Sequence, residues 1–177
     1  MMQIETQRLL LREMNEDDFP SLYEILSDPE TMQHYPRPYD EAGVRRWIAW
    51  SQDNYARYGF GLWAVILKET GEFIGDCGIT MQPIHGQMLP EIGYHIHKRH
   101  QRRGYASEAA SACIRLAFER FGFPKVYSYM KSTNVASYAT AMKNGMTFVE
   151  EYDDPVNTRT RVYVIDRAAW EEKMQDF

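Results

Sequence analysis

The stretch EIGYHIHKRHQRRGYASEA (residues 91–109) joins an alternating segment to an alanine-rich one through a run of cations and a single glycine. Over 91–97 the side chains alternate, with Glu91, Gly93, His95 and His97 on one side of a strand and Ile92, Tyr94 and Ile96 on the other. Downstream, Ala110, Cys113, Ile114, Ala117 and Phe121 share one helical stripe, which Gly122 and Pro124 close. Gly104 therefore stands between a strand and a strong helix start. Such a start presents unpaired N–H groups and the positive end of the helix dipole, which suits a phosphate. Glycine removes the Cβ that would block close backbone approach. Arg102 and Arg103 add charge there, and Ser107 adds a hydroxyl in the first turn. The residues describe a diphosphate seat. They fit a solvated charged bend equally well.

The rest of the chain narrows the choice. At 177 residues it suits one domain, 1–177, large enough to bury a core without disulfides. A net charge of −5 and a pI near 5.6 argue against a nucleic-acid or membrane binder, which carries a basic excess or face. Cys77 and Cys113 have no metal-ligand neighbours and read as buried thiols of a reducing cytosol. The start lacks a basic segment followed by a long apolar one, and no apolar run nears the roughly 20 residues of a membrane span. A cytoplasmic protein is expected.

Around the central unit the pattern alternates between strands and helices. RLLLR (8–12) reads as a strand. Asn15 caps the next helix with Asp18 in capping-box position, ahead of Phe19, Leu22, Ile25 and Leu26. The three prolines of 28–40 make that segment a loop, after which Asp40 caps a second helix. GLWAVILKETGEFIGDCGIT (61–80) is a hairpin turning at KETGE, and 81–90 reads as a polar connection. KVYSYM (125–130) is a strand, NVASYATAMKNG (134–145) a short helix, and TFVEEY and RVYVID form a hairpin around DDPVNT. The fold class is α+β, a mixed α/β single domain.

QRRGYA (101–106) resembles the Q/R-x-x-G-x-G/A loop of the GNAT superfamily of acetyl-coenzyme A-dependent N-acetyltransferases. TQRLLLRE, EIGY, GYASEA, NVAS and VYVIDRAAW are similar to further segments of it in the same order, most closely in the branch of ribosomal-protein N-terminal acetyltransferases. The resemblance implies a mostly antiparallel sheet splayed between 91–96 and 125–130. The pantetheine arm of acetyl-CoA would pair there with the backbone of His95, Ile96 and His97. Its diphosphate would rest on the amides of Arg102, Arg103, Gly104, Tyr105, Ala106 and Ser107, with Gln101 opening the loop. Asn134 would fix coenzyme or backbone.

In the chemistry so implied, a primary amine attacks the thioester directly. A free amine is needed because an ammonium has no lone pair. Glu91 is the favoured proton acceptor, in a family position where acids act through water. His95, a residue type that exchanges protons near neutrality, follows as base or relay. The usual acid is a Tyr four residues before the glycine ending the short helix, and that position is Ala141. Ser137 is the substitute expected from the Rim-type branch, with Tyr138 next. Tyr35, Tyr39 and Trp47 are candidates for the acceptor groove. The histidines lack metal spacing, so no metal is expected. The oligomer is a monomer or homodimer. A coenzyme-binding module without activity is the rival reading, supported by Ala141.

Overall fold

A computed structural model describes residues 1–176. Strands β1 (Gln3–Glu5), β2 (Leu9–Arg12), β3 (Leu62–Leu67), β4 (Phe73–Ile84), β5 (Gln87–Ile96), β6 (Lys125–Lys131), β7 (Thr147–Asp154) and β8 (Thr158–Asp166) form one sheet, in the order β1-β2-β3-β4-β5-β6-β8-β7. All neighbours are antiparallel except β5 and β6. Helices α1 (Phe19–Leu26) and α2 (Glu41–Tyr58) cover one face, and α3 (Tyr105–Glu119), α4 (Val135–Lys143) and α5 (Arg167–Gln175) the other. The mixed α/β class follows from the sequence pattern, and the structure has it.

The local signals account for the element starts. Asn15 and Asp18 form a reciprocal capping box, and Asp40 accepts from the Gly43 N–H at 2.7 Å. Asp18 is buried and held bidentate by Arg12 at 2.7 and 2.9 Å, which fixes the entry to α1. On α3 the stripe of Ala109, Ala110, Cys113, Ile114, Ala117 and Phe118 is buried against the sheet, its small residues admitting close approach. Each fully buried Ile or Phe contributes about 1.5–3 kcal/mol, whereas an exposed ion pair gives about 0–1. The position of Gly104 is therefore set by the packing behind it. Cys77 and Cys113 are buried free thiols with their sulfurs 3.7 Å apart.

Residues 81–90 differ from expectation. They are strand, and β4 and β5 make one long hairpin turning at His85 and Gly86, both at positive φ. This is the two-residue turn whose twist matches the strands. Pro83 and Pro90 are tolerated because of register. The His97 N–H donates to Ile74 O at 2.7 Å, so pairs alternate in a phase that leaves Pro83 and Pro90 at non-hydrogen-bonded positions. Neither costs a ladder bond. The third unanticipated element is α5, capped by Asp166 and seated through Trp170 on Phe118.

Two glycines let β4 lie close to its neighbours. A Cβ at Gly75 would run into the carbonyl oxygen of His95, and one at Gly78 into that of Gly61. Both obstacles are backbone and cannot rotate away. Gly75→Ala should cost about 1–3 kcal/mol of overpacking, lowering the melting temperature at roughly 2–4 °C per kcal/mol. Thermal unfolding reads this directly, and an unchanged midpoint would mean that β4 and β5 are not this close.

Candidate active site

β5 and β6 pair at one position only, Glu91 with Tyr127. One residue further, the Ser128 hydroxyl donates to Ile92 O at 2.9 Å, and beyond it the strands part. The result is a wedge open toward the C-terminal end of β5. The register set by His97 turns the backbone of His95 toward β4 as well, since alternate residues share an edge. The edge facing the wedge belongs to Tyr94 and Ile96. The expectation that His95, Ile96 and His97 all line it is thus corrected to Ile96 alone. The Ile96 carbonyl is taken by Gln101 Nε2 at 2.9 Å, so Gln101 braces the loop from within.

The basic run divides in two. His97 pairs with Glu24 at 2.9 Å, Lys98 with Asp28 at 3.2 Å, and Arg99 and His100 with Glu72 at 3.2 and 3.1 Å. These side chains dock the loop onto α1, the segment after it and the β3–β4 turn. Among the described residues Arg102 and Arg103 have no such carboxylate partner. Arg102 and Gly104 both adopt positive φ, 62° and 82°, and turn the chain into α3. The space where a Gly104 Cβ would sit is bordered by the Arg8 guanidinium at 3.3 Å and Lys143 Nζ at 3.8 Å. Arg8 is itself fixed, by Glu108 at 2.7 Å and by the Arg103 carbonyl at 2.9 Å. The amides of Tyr105, Ala106 and Ser107 precede the first intrahelical donor, Glu108, and face this cationic space. The Tyr105 ring is buried under Arg8. The Ser107 hydroxyl donates to Asn144 at 3.1 Å, so it joins α3 to the end of α4 instead of standing free.

Around the wedge lie the polar groups. Glu91 is 8% exposed, and burial pushes its carboxyl up to about 8, with a bond from the Tyr129 N–H partly opposing. On the other face the Tyr94 hydroxyl donates to Ser137 O at 2.8 Å, 3.4 Å from the Ser137 hydroxyl. Burial pushes the Tyr94 phenol up to about 12. Asn134 caps α4, accepting from the Ser137 N–H at 3.2 Å. Tyr138 turns elsewhere. Its ring stacks on Tyr163 with Arg161 4.4 Å from its centroid, which commits it to β8. Ala141 is buried.

Sequence reasoning missed Asp76, which is 0% exposed. It accepts from Trp47 Nε1 at 2.9 Å and pairs with His95 Nδ1 at 2.9 Å. His95 Nε2 meets the Tyr35 hydroxyl at 2.9 Å. The one signal for Asp76 was an acid inside the apolar strand FIGDCGIT. Tyr94 was missed as well, since its place on the apolar side of β5 marks it as core. The loop carrying Tyr35 crosses the wedge mouth, where His34 Nδ1 lies 3.2 Å from the Thr133 hydroxyl. Tyr39 and Trp50 pack against Trp47. His95, His97 and His100 each take a different carboxylate, and among the described residues no group of three His, Cys, Asp or Glu is arranged to hold a metal.

Residues 8–147 match the model of the acetyltransferase (GNAT) domain family. The chain is 38% identical over 155 residues to the Bacillus subtilis protein YkkB, covering 85% of this chain and 90% of that one. An acetyltransferase crystal structure from Agrobacterium tumefaciens superposes with a TM-score of 0.82 at 29% identity, over 94% of this chain and 95% of that one. The fold is also that of RimL, a ribosomal L7/L12 α-N-protein acetyltransferase in complex with coenzyme A, at a TM-score of 0.79 and 19% identity over 95% and 99%.

The buried state of Glu91 has a consequence for stability. A carboxyl raised by folding stabilises the native state fully below its unfolded value near 4.5, and this contribution is lost as pH rises through about 8. Glu91→Gln removes the ionisation. Relative to wild type it should gain stability above pH 8, on the order of a few kcal/mol, and little below pH 5. Urea unfolding at pH 5 and pH 9 checks the sign. A variant that tracks wild type at both would mean that the carboxyl is not desolvated.

Proposed function

Given that this chain belongs to the acetyltransferase (GNAT) domain family, we propose that it is an acetyl-CoA-dependent N-acetyltransferase acting on a primary amine by direct attack in a ternary complex. The observation that carries this reading is the wedge itself: a one-register β5–β6 junction opening beside a helix start with unpaired cations. The wedge-facing edge of Tyr94 and Ile96, of which Gln101 takes the Ile96 carbonyl, suits an extended amide-bearing arm, which can add to a strand edge as a further strand. Arg102, Arg103, Lys143 and the first amides of α3 suit a diphosphate. Gly104 keeps the approach open, and Tyr105, Ala106 and Ser107 contribute their N–H groups.

The reaction needs an amine without its extra proton, donors for the oxygen that becomes negative, and a proton for the departing sulfur. A backbone N–H on the wedge edge of β5, at Tyr94 or Ile96, serves the oxygen. The Ser137 hydroxyl serves the sulfur, and Tyr94 beside it keeps its own proton because burial disfavours the phenolate. This pair answers the absence of a Tyr at Ala141, and it favours an active enzyme over a coenzyme-binding module. A thiol of pKa about 8.5 is in any case a fair leaving group. Glu91 can accept the ammonium proton once ionised, a state burial delays to about pH 8. Acceptors of the class include a protein N-terminus and small amines.

Thermal unfolding with acetyl-CoA tests the seat without an acceptor. At about 100 times its dissociation constant the ligand adds about 2.7 kcal/mol, a rise of several degrees for a domain of this size. Gly104→Val and Arg103→Ala should shrink that rise, whereas Arg99→Ala, already paired with Glu72, should leave it. Equal losses in all three would return the seat to a general surface charge. Thiol release with an N-terminal peptide, a polyamine and an amino sugar then separates enzyme from module. Glu91→Gln should preserve the thermal shift and lower turnover mainly above pH 8, and a loss uniform across pH would deny Glu91 the proton-accepting role.

A further inference from the structure

A carboxyl group fully buried in a central strand is costly unless donors satisfy it. Asp76 has two, from different elements. Trp47 Nε1, on α2, holds one oxygen, and His95 Nδ1, on β5, faces the other, each at 2.9 Å. In the tautomer whose Nδ1–H donates to Asp76, Nε2 of His95 accepts from the Tyr35 hydroxyl, 2.9 Å away. Donation in this chain therefore runs one way, from the outer hydroxyl inward to the buried carboxylate. It starts on a side chain that is 37% exposed. The imidazole is fixed on its faces as well, with the Tyr35 and Trp47 rings 5.3 and 5.6 Å from it.

A purely structural clamp between α2 and β4 would need only Trp47 and Asp76. The addition of His95 and Tyr35 carries the network to the mouth of the wedge, where His34 of the same loop reaches Thr133 on the far side. His95 stands between Tyr94 and Ile96, the two residues whose backbone faces the wedge. Glu91, the other acid on that face of β5, is held neutral below about pH 8. At neutral pH this leaves room for a second proton acceptor, and the hydrogen-bonded chain that reaches the wedge mouth is the one the geometry supplies.

Resting on the acetyltransferase reading, we infer that Tyr35, His95 and Asp76 form a proton relay that deprotonates the acceptor ammonium. Tyr35 is the catalytic residue, and His95 and Asp76 act through it as positioning residues. An N–H bond of the ammonium breaks and its proton forms the O–H bond of Tyr35. The phenol's own proton passes to Nε2 of His95. The nitrogen keeps its electron pair and closes on the thioester carbonyl carbon. The positive charge moves from the ammonium to the imidazolium, beside Asp76. Trp47 stabilises the orientation of the carboxyl group through its N–H.

The test compares two nucleophiles with acetyl-CoA at pH 7, by thiol release. Benzylamine arrives as an ammonium and needs the relay. Hydroxylamine is already a free base at that pH and does not. Tyr35→Phe keeps the ring and removes only the hydroxyl. It should lower kcat for benzylamine by roughly a hundredfold or more, leave its KM near wild type, and spare the hydroxylamine reaction and the acetyl-CoA thermal shift. Asp76→Asn retains an acceptor for Trp47 and should show the same split between nucleophiles. A variant that merely unfolds or distorts the site would lose both reactions and the shift together, and that pattern, or equal rates for wild type and Tyr35→Phe, overturns the relay. Wild type that binds acetyl-CoA yet releases thiol with neither nucleophile overturns the acetyltransferase reading, and the relay with it.

Discussion

The single pairing between Glu91 and Tyr127 is the constraint from which the rest of the site follows. It sits where an antiparallel sheet changes to one parallel junction, so the two halves of the sheet are joined by little backbone bonding. What keeps them together is packing on the α3 face, where Ile92 and Ile96 of β5 and Val126 and Met130 of β6 belong to one buried cluster. The Ser128 hydroxyl closes the ladder at Ile92, and the next residues of β5 leave their backbone groups toward the gap. A strand edge with unmet N–H and C=O groups is a liability in most proteins. Here α4 on one side and the 27–40 loop on the other limit access to it.

Charge is arranged on the same logic. The run HKRHQRR has more basic groups than an anion seat requires, and the structure spends His97, Lys98, Arg99 and His100 on carboxylates distant in sequence. Exposed pairs of this sort give about 0–1 kcal/mol each, so their value lies in direction. They pin the stretch before Gly104, and α3 pins the stretch after it. Arg102, Arg103 and the helix start are left at the hinge between two anchored segments. Lys143 arrives from α4, which the Ser107–Asn144 bond fastens to α3.

Elements governed by local patterning were legible in the sequence. The alternation of 91–97, the caps at Asn15 and Asp40 and the stripe of α3 depend on near neighbours, and they stand as read except that α3 ends at Glu119, so Phe118 and not Phe121 completes the stripe. The strands through Pro83 and Pro90 were not legible, because proline excludes a hydrogen bond only when the register puts its nitrogen on the bonded side, and register is a property of the partner strand. The same holds for the edge of β5. Alternation assigned side chains to faces correctly, yet which backbone groups meet β4 depends on the pairing of His97 with Ile74. Ser107 reads as part of the diphosphate seat and Tyr138 as a substitute acid; Asn144 engages the hydroxyl of the first, and Arg161 and Tyr163 pack on the ring of the second, all distant in sequence. Asp76 was visible only as an oddity in an apolar run.

Two acids, Glu91 and Asp76, lie near the same end of the sheet with very different company. Glu91 has one backbone donor, from Tyr129, and burial prevails, raising its carboxyl to about 8. Asp76 is more deeply buried but collects an indole N–H and an imidazole. A protonated Glu91 is a poor base, and it adds no second negative charge to this end of the sheet. The environment thereby assigns different duties to two chemically similar groups. Glu91 keeps the floor of the wedge uncharged where the sheet halves meet, and the relay inferred for Tyr35, His95 and Asp76 would use a path that is already hydrogen-bonded.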